Sequence, residues 1–393
     1  MSLLLIFRLR GSFLKLDVVV TARPSWARVK SLVSNFHEMS PGSEVRLLLV
    51  GPSVSKRYGD ISNSLPEWLT CLKFPGLQES DDFGSVALTC LEGGSSLARY
   101  WQQNRPDAAL VIADRTETLG VAVTASLMQI PLVHLQGGEI SGSIDDKVRD
   151  ANSKLADFHL TTNDFTAKRL SQMGEDDARI KIVGCPSVDL VNETIKNPRQ
   201  LSSSLDLGGV GAEFNLSQPF GIIMYHPDTL DEDQTLDWVN AIIDLVEVSN
   251  MNWFWFWPNP DHGTSVISKA IRIARENNRL RNVRYVINVE PEIFISMALR
   301  SVVLIGNSSF GIREASFIGL PVINIGHRQR GRQKSENVAE IGMVGSLKEF
   351  ENLLEKQISE GRFPRSTLYG DGSAGYNSAQ ELLAWNPSIK FRN

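Results

Sequence analysis

Carboxylates collect just after apolar runs in the first half of the chain. Ala113-Asp114-Arg115 closes the run from Ala108 to Ile112, and His134-Leu135-Gln136-Gly137-Gly138-Glu139 closes a second. Asp145-Asp146 then opens a helical stretch that carries Arg149. Asp114, Glu139 and Asp145, delivered to one crevice from separate strand ends, can move protons at a ring carbon. For Asp145 taken alone a helix cap is the better reading, because acidic residues favour helix starts.

The second half offers a different chemistry. In IGNSSFGIREASFIGL (305–320) an apolar strand ends in Gly-Asn-Ser-Ser, with a helix expected from near Gly311. Small residues let backbone approach a ligand, and a helix start presents unpaired N–H groups and a dipole that favours anions. Ser308 and Ser309 add hydroxyl donors suited to a diphosphate, and Glu314, one turn on, suits ribose hydroxyls. A plain helix cap at Asn307 or Ser308 explains the same residues about as well. HRQRGRQK (327–334) follows the next strand and brings Arg328, Arg330, Arg332 and Lys334 to the same sheet edge. A solvated charge run is the ordinary reading, but guanidinium groups there would neutralise a diphosphate leaving group. His226 after another strand, and Asn259 and Asp261 in PNPDHG, are weaker candidates. The His residues show no metal-ligand spacing, so neither metal nor other cofactor is expected.

These residues need elements to hold them, and the pattern supplies an α/β frame. Short runs nearly continuous in Val, Ile and Leu alternate with longer amphipathic segments, as in parallel sheets covered on both faces. Strands are expected at 16–21, 45–50, 108–112, 132–134, 158–161 and 180–183. The alternation stops at 196–219, rich in Ser and Gly, and restarts with strands at 220–224, 253–257, 285–287, 302–305 and 322–325. The expected organisation is therefore two doubly wound, Rossmann-like domains facing across a cleft. Residues 1–195 form the first, 196–219 a linker, and 220–375 the second. A helical tail, 376–393, packs back on the first domain. Ligands should bind at strand C-termini.

Composition bounds the rest. With 393 residues the chain suits two domains, and a net charge of −5 argues against a nucleic-acid partner. Three scattered Cys indicate no disulfide framework. No run reaches the roughly 20 apolar residues of a membrane helix. The opening MSLLLIFRLRGSFLK has too short an apolar core for a signal peptide and is expected to be an extension before the first strand. A cytoplasmic protein without a membrane partner is expected.

The longer motifs resemble a known family. ADRTE (113–117), HLQGGEISGSIDDKVRDANSKLAD (134–157), GCPSVDL (184–190), HPDT (226–229), PNPDHG (258–263) and IGNSSFGIREASFIGLPVINIGHRQRGR (305–332) together are similar to the hydrolysing UDP-N-acetylglucosamine 2-epimerases. The resemblance implies a GT-B fold, a UDP-2-acetamido sugar as substrate, and a homo-oligomer (dimer or tetramer). It also implies a reaction in which the C-2 proton is removed, UDP leaves C-1, and water adds to the resulting 2-acetamidoglucal. Ser308, Ser309 and Arg332, with Arg328 and Gly311 beside them, would then hold the diphosphate and Glu314 the ribose. Arg23, Arg115, His226, Asn259 and Asp261 would line the substrate. Asp114 and Asp145 would be the acid/base pair, oriented by Arg149. Gln136 stands where the family carries an acidic residue. A carboxamide holds substrate without relaying a proton, which leaves Glu139 or Glu117 to compensate. Asp150 stands where the family has His, and Ala27 replaces a hydroxyl residue. A non-hydrolysing epimerase, a GT-B glycosyltransferase and a silent UDP-sugar binder are the alternatives.

Overall fold

The computed structural model describes residues 13–390 apart from 56–60, 62–64, 75, 77–81, 142–144, 202, 204–206, 228–232, 259–262 and 288. The expected N-terminal extension thus falls largely outside the described residues. Two compact units emerge. The first runs to Glu139, continues over 144–186 and takes in the chain from Ser373 onward, and the second holds 140–143 and 187–372.

The first unit is built on β1 (Lys15–Val20), β2 (Glu44–Leu49), β3 (Thr70–Lys73), β4 (Ala108–Ile112), β5 (Leu132–Leu135), β6 (Phe158–Thr161) and β7 (Ile180–Ile182). They form one seven-stranded sheet in the order β3-β2-β1-β4-β5-β6-β7, with every pairing parallel. Its helices are α1 (Arg23–Met39), α2 (Phe83–Gln103), α3 (Thr116–Leu127), α4 (Asp145–Leu155) and α5 (Asp164–Gln172). Side chains alternate along β1, which separates two cores. Leu16, Val18 and Val20 join Trp26, Val29, Val33 and Phe36 of α1. Val19 points the other way, with Leu97 and Trp101 of α2 and Val121 and Ala125 of α3. Each large apolar side chain buried in this way contributes about 1.5–3 kcal/mol.

The second unit opens with α6 (Pro186–Lys196), followed by β8 (Val210–Gly211), β9 (Phe220–Met224), α7 (Asp233–Val248), β10 (Asn252–Phe256), α8 (Thr264–Glu276) and β11 (Val283–Val286). Then come α9 (Pro291–Arg300), β12 (Val303–Gly306), α10 (Ser309–Ile312), α11 (Glu314–Ile318), β13 (Val322–Ile325), β14 (Val338–Ile341) and α12 (Leu347–Glu360). Its sheet runs β14-β13-β12-β9-β10-β11-β8, parallel except for β8 on β11. The aromatic strand β10 is core, as its alternation suggests: Trp253 and Trp255 face the α7 and α8 side, and Phe254 meets Phe214 and Phe220 edge to face.

Two features differ from the sequence reading. The segment read as a linker contributes β8 and buries Leu201, Leu207 and Leu216, and Arg284 donates to the carbonyls of Gly208 and Ala212 to hold it. Val210 and Gly211 pair antiparallel with Tyr285 and Arg284 of β11 and form an edge of the sheet. The helix expected from Gly311 is two short pieces, because Arg313 at φ −97°, ψ −70° interrupts it. The C-terminal helix α13 (Ala374–Ala384) lies in the first unit, with Ala379 and Leu382 in its core and Trp385 stacked on Phe158 at 4.7 Å. Beyond it Lys390 reaches Glu175, a buried carboxylate that Lys154 also bonds at 2.6 Å. Burial opposes ionisation of Glu175, yet bonds from His159, Lys154 and Lys390 hold its carboxyl down at about 2.

Candidate active site

In each sheet the strand order reverses beside the first of its parallel strands. The first switches between β1 and β4, the second between β9 and β12. Adjacent loops leave in opposite directions at such a point and open a ligand crevice at the strand C-termini. Arg23 and Asp114 follow β1 and β4; His226 and Ser308 follow β9 and β12. These four residues thus follow the strands at which topology makes room for a ligand.

In the first unit, Ala113 leaves β4 at φ +54°, a left-handed conformation uncommon for a residue with a side chain. Its carbonyl accepts from His134 Nε2 at 2.8 Å and, more weakly, from Asn152 Nδ2 at 3.4 Å. Asn152 also donates to Thr118 at 2.7 Å. This clamp turns Asp114 off the strand end, where its carboxylate pairs with Arg149 Nη2. Arg149 is 1% exposed, donates to the Glu139 carbonyl at 2.9 Å, and pairs with Asp146 through Nη1. Arg149 thus pairs with Asp114 and with Asp146, the residue after Asp145, which is the first residue of α4 and has a polar or electrostatic contact of its own. Four residues along a helix bring Asp145 and Arg149 to one face, and the side chain of Asp146, three residues back, lies within reach as well.

Gln136 and Glu139 are both buried. Gln136, at φ +63°, donates from Nε2 to Cys185 Sγ at 3.1 Å, and its Oε1 finds no hydrogen-bond partner among the described residues. Glu139 accepts from the Thr162 hydroxyl at 2.8 Å. Arg115 is half-exposed and bonds Glu117 at 3.2 Å, which occupies that carboxylate. Asp150 pairs with Arg169 at 2.6 and 2.7 Å. Arg23 makes no hydrogen bond or ion pair among the described residues.

In the second unit, Ser308 caps α10 and accepts from the Phe310 N–H at 3.4 Å; Ser309 Oγ accepts from Arg313 Nη2 at 3.1 Å. The cap reading of Ser308 is therefore correct as far as it goes. A four-residue helix has little dipole, so any anion here must be held by hydroxyls, loop N–H groups and guanidinium charge. Gly311 lies inside α10. Glu314 is buried and its Oε2 has no hydrogen-bond partner among the described residues, although Arg313 Nε stands 3.7 Å away. Arg328 and Arg332 are half-buried. Arg328 is close enough to His226 to oppose its protonation. Asn259 and Asp261 lie outside the described residues.

Three contributors were not singled out for their chemistry: His134, Asn307 and Gln329. His134 falls inside a strand run and Asn307 beside two more conspicuous serines, so only the contacts distinguish them.

Of the three buried histidines, His134 and His226 are pushed furthest towards the neutral form. Burial pushes His134 down to about 4 against the pull of the Ala113 carbonyl, and burial with the Arg328 charge pushes His226 down to about 3. The unfolded chain takes up those protons near pH 6.5 while the folded chain does not. Their stabilisation is therefore complete above 6.5 and drains as pH falls towards 4 and 3. Thermal melts should show Tm falling through that window. His134→Gln should flatten the stability slope by up to about 1.4 kcal/mol per pH unit. An unaltered slope would show that His134 takes up no proton on unfolding.

Two largely parallel sheets, each flanked by helices and each with a switch point in its strand order, define the GT-B class, and solved structures of that class match the chain over its length. A UDP-N-acetylglucosamine 2-epimerase from Neisseria meningitidis bound to UDP-GlcNAc superposes with a TM-score of 0.75 at 15% identity, over 94% of this chain and all of that one. One from Methanocaldococcus jannaschii, in complex with UDP-GlcNAc and UDP, gives the same score at 13% identity and the same coverage. At these identities the likeness speaks for the fold. The family model for UDP-N-acetylglucosamine 2-epimerase matches residues 38–383, and the chain belongs to that family. Among its relatives is the GDP/UDP-N,N'-diacetylbacillosamine 2-epimerase (hydrolyzing) of Campylobacter jejuni, 28% identical over 88% of this chain and 89% of that protein. The UDP-N,N'-diacetylbacillosamine 2-epimerase (hydrolyzing) of Legionella pneumophila is 26% identical over 94% and 95%. No described helix is long and apolar enough to cross a membrane.

Proposed function

We propose that this chain is a hydrolysing 2-epimerase of UDP-2-acetamido sugars. The observation that carries the reading is the Asp114–Arg149 ion pair at the switch point of the first sheet. Two of its relatives are named as hydrolysing 2-epimerases, which supports the same reaction. A C-2 hydrogen on a sugar is barely acidic until the C-1 substituent begins to leave, so stabilising the departing diphosphate should dominate catalysis. Ser308, Ser309, Arg328 and Arg332 take that part, and Glu314, with its open acceptor oxygen, takes the ribose. Asp114 and Asp145 move the protons: one removes the C-2 proton as the C-1–oxygen bond breaks, and one returns a proton to C-2 as water adds at C-1. Arg149 holds Asp114 in place through their ion pair. Arg23, His226, Asn259 and Asp261 contact the substrate. The reading extends to a homo-oligomer, which the family resemblance implies, in the cytoplasm, as the composition suggests.

The test is incubation in heavy water with UDP-GlcNAc and, separately, UDP-N,N'-diacetylbacillosamine. Free UDP and a free manno-configured 2-acetamido sugar carrying deuterium at C-2 are expected. Retention of the nucleotide on the product would mean a non-hydrolysing epimerase, and no turnover of any UDP-2-acetamido sugar would sink the proposal. Gln136 favours a second reading, a UDP-sugar binder without turnover, since a carboxamide cannot relay a proton. Tight binding without turnover, cured by Gln136→Glu, would support it.

A further inference from the structure

We infer that Asn307 is a positioning residue whose side-chain amide stands in for a missing sheet rung and locks the Ser308–Ser309 loop to His226. The inference deepens the proposed function and rests on its reading of that loop as the diphosphate holder. The parallel ladder between β9 and β12 ends where Gly306 pairs with Met224. Gly306 sits at φ +147°, and a Cβ there would lie 2.0 Å from the Met224 carbonyl oxygen, so only glycine lets the chain turn off the sheet at this point. The Asn307 N–H still reaches the Met224 carbonyl at 3.1 Å.

Its side chain continues what the backbone abandons. Asn307 Oδ1 accepts from the His226 N–H at 2.8 Å, and Nδ2 donates to the His226 carbonyl at 2.8 Å. The Asn307 carbonyl accepts from Gln329 Nε2, also at 2.8 Å, from the loop after β13. One residue, 1% exposed, therefore ties together the ends of three neighbouring strands. A short side chain with one donor and one acceptor is required. Serine is too short to span both groups, and aspartate would turn a second acceptor towards a carbonyl oxygen. Because the next residue is Ser308, the rung sets where the loop hydroxyls and N–H groups point. Gln329 Oε1, buried and without a hydrogen-bond partner among the described residues, leaves an acceptor open beside them.

The test uses the full chain as Asn307→Asp and Gln329→Met, with UDP as the probe. Calorimetry should show UDP binding about 10- to 100-fold weaker in Asn307→Asp, and about 3- to 10-fold weaker in Gln329→Met, which keeps the rung but frees the carbonyl. KM for the UDP-sugar should rise with the UDP dissociation constant by a similar factor. A purely structural role would lower Tm without changing the affinity of the folded protein. Asn307→Asp that folds and binds UDP within twofold of wild type overturns the inference; if it does not fold, unchanged affinity in Gln329→Met does so. Hydrogen exchange on the nucleotide-free protein is read alongside in Asn307→Ala, which removes the acceptor as well: the His226 amide should exchange at least 10-fold faster there, and equal rates also overturn the inference. Wild-type protein that ignores UDP would defeat the diphosphate reading instead, with the exchange measurement still deciding the rung.

Discussion

Asp114→Asn should lower turnover of a UDP-2-acetamido sugar by about 10²- to 10⁴-fold, the usual range for removing a positioned acid or base. The substitution keeps shape and removes only charge and proton affinity. Arg149 retains Asp146 and the Glu139 carbonyl, so the fold around it should hold and Tm should move by only a few degrees. UDP affinity should stay near that of wild type, because the groups proposed to hold the nucleotide belong to the other sheet. Deuterium entry at C-2 should fall in step with UDP release, since proton removal and departure of UDP belong to one elimination. A variant that retains more than a tenth of wild-type turnover would remove Asp114 from the mechanism. Asp145→Asn carries the same expectation; a loss in one variant only would identify the single carboxylate that matters.

The largest effect on stability is expected far from that chemistry. Asp17 of β1 accepts two hydrogen bonds from Arg46 of β2, at 2.6 and 2.7 Å, and a third from Trp101 Nε1 at 2.7 Å, with the Asp17 side chain fully buried and Arg46 only 4% exposed. Arg46→Met removes the compensating charge and leaves a carboxylate in the core, which costs about 3–5 kcal/mol. For a unit of this size that lowers Tm by roughly 6–20 °C. The double variant Asp17→Asn/Arg46→Met should regain most of the loss, because a neutral carboxamide still offers Trp101 an acceptor and a buried ion pair contributes little over neutral groups. A double variant no more stable than the single would mean that shape, rather than uncompensated charge, sets the cost.

Period and strand punctuation made most of the frame legible. Runs such as Val18-Val19-Val20 and Ile222-Ile223 must be covered on both faces, so a parallel α/β architecture in two sheets follows from the residues themselves, and so do the strand ends that carry Asp114, His226 and Ser308. Three kinds of element stayed hidden. α2 holds Gly84, Gly93 and Gly94, which weaken its helical signal, and two of them lie where neighbouring side chains or backbone leave no space for a larger residue. β3 and β14 are short and only partly buried, so they lack the apolar run that marks a central strand. β8 forms only because β11 presents an edge to it.

Residue type alone determined that carboxylates, hydroxyls and guanidinium groups would gather at strand C-termini, because those are the positions where apolar periodicity stops and polar side chains can begin. Tertiary structure decided which of them touch. Arg149 reaches Asp114 across 35 positions, His134 supports the Ala113 carbonyl from the next strand, and Asn307 bonds His226 over 81. No local pattern records such pairings. They depend on strand order in each sheet, which is set by how the helices pack on its two faces rather than by any neighbour in the chain.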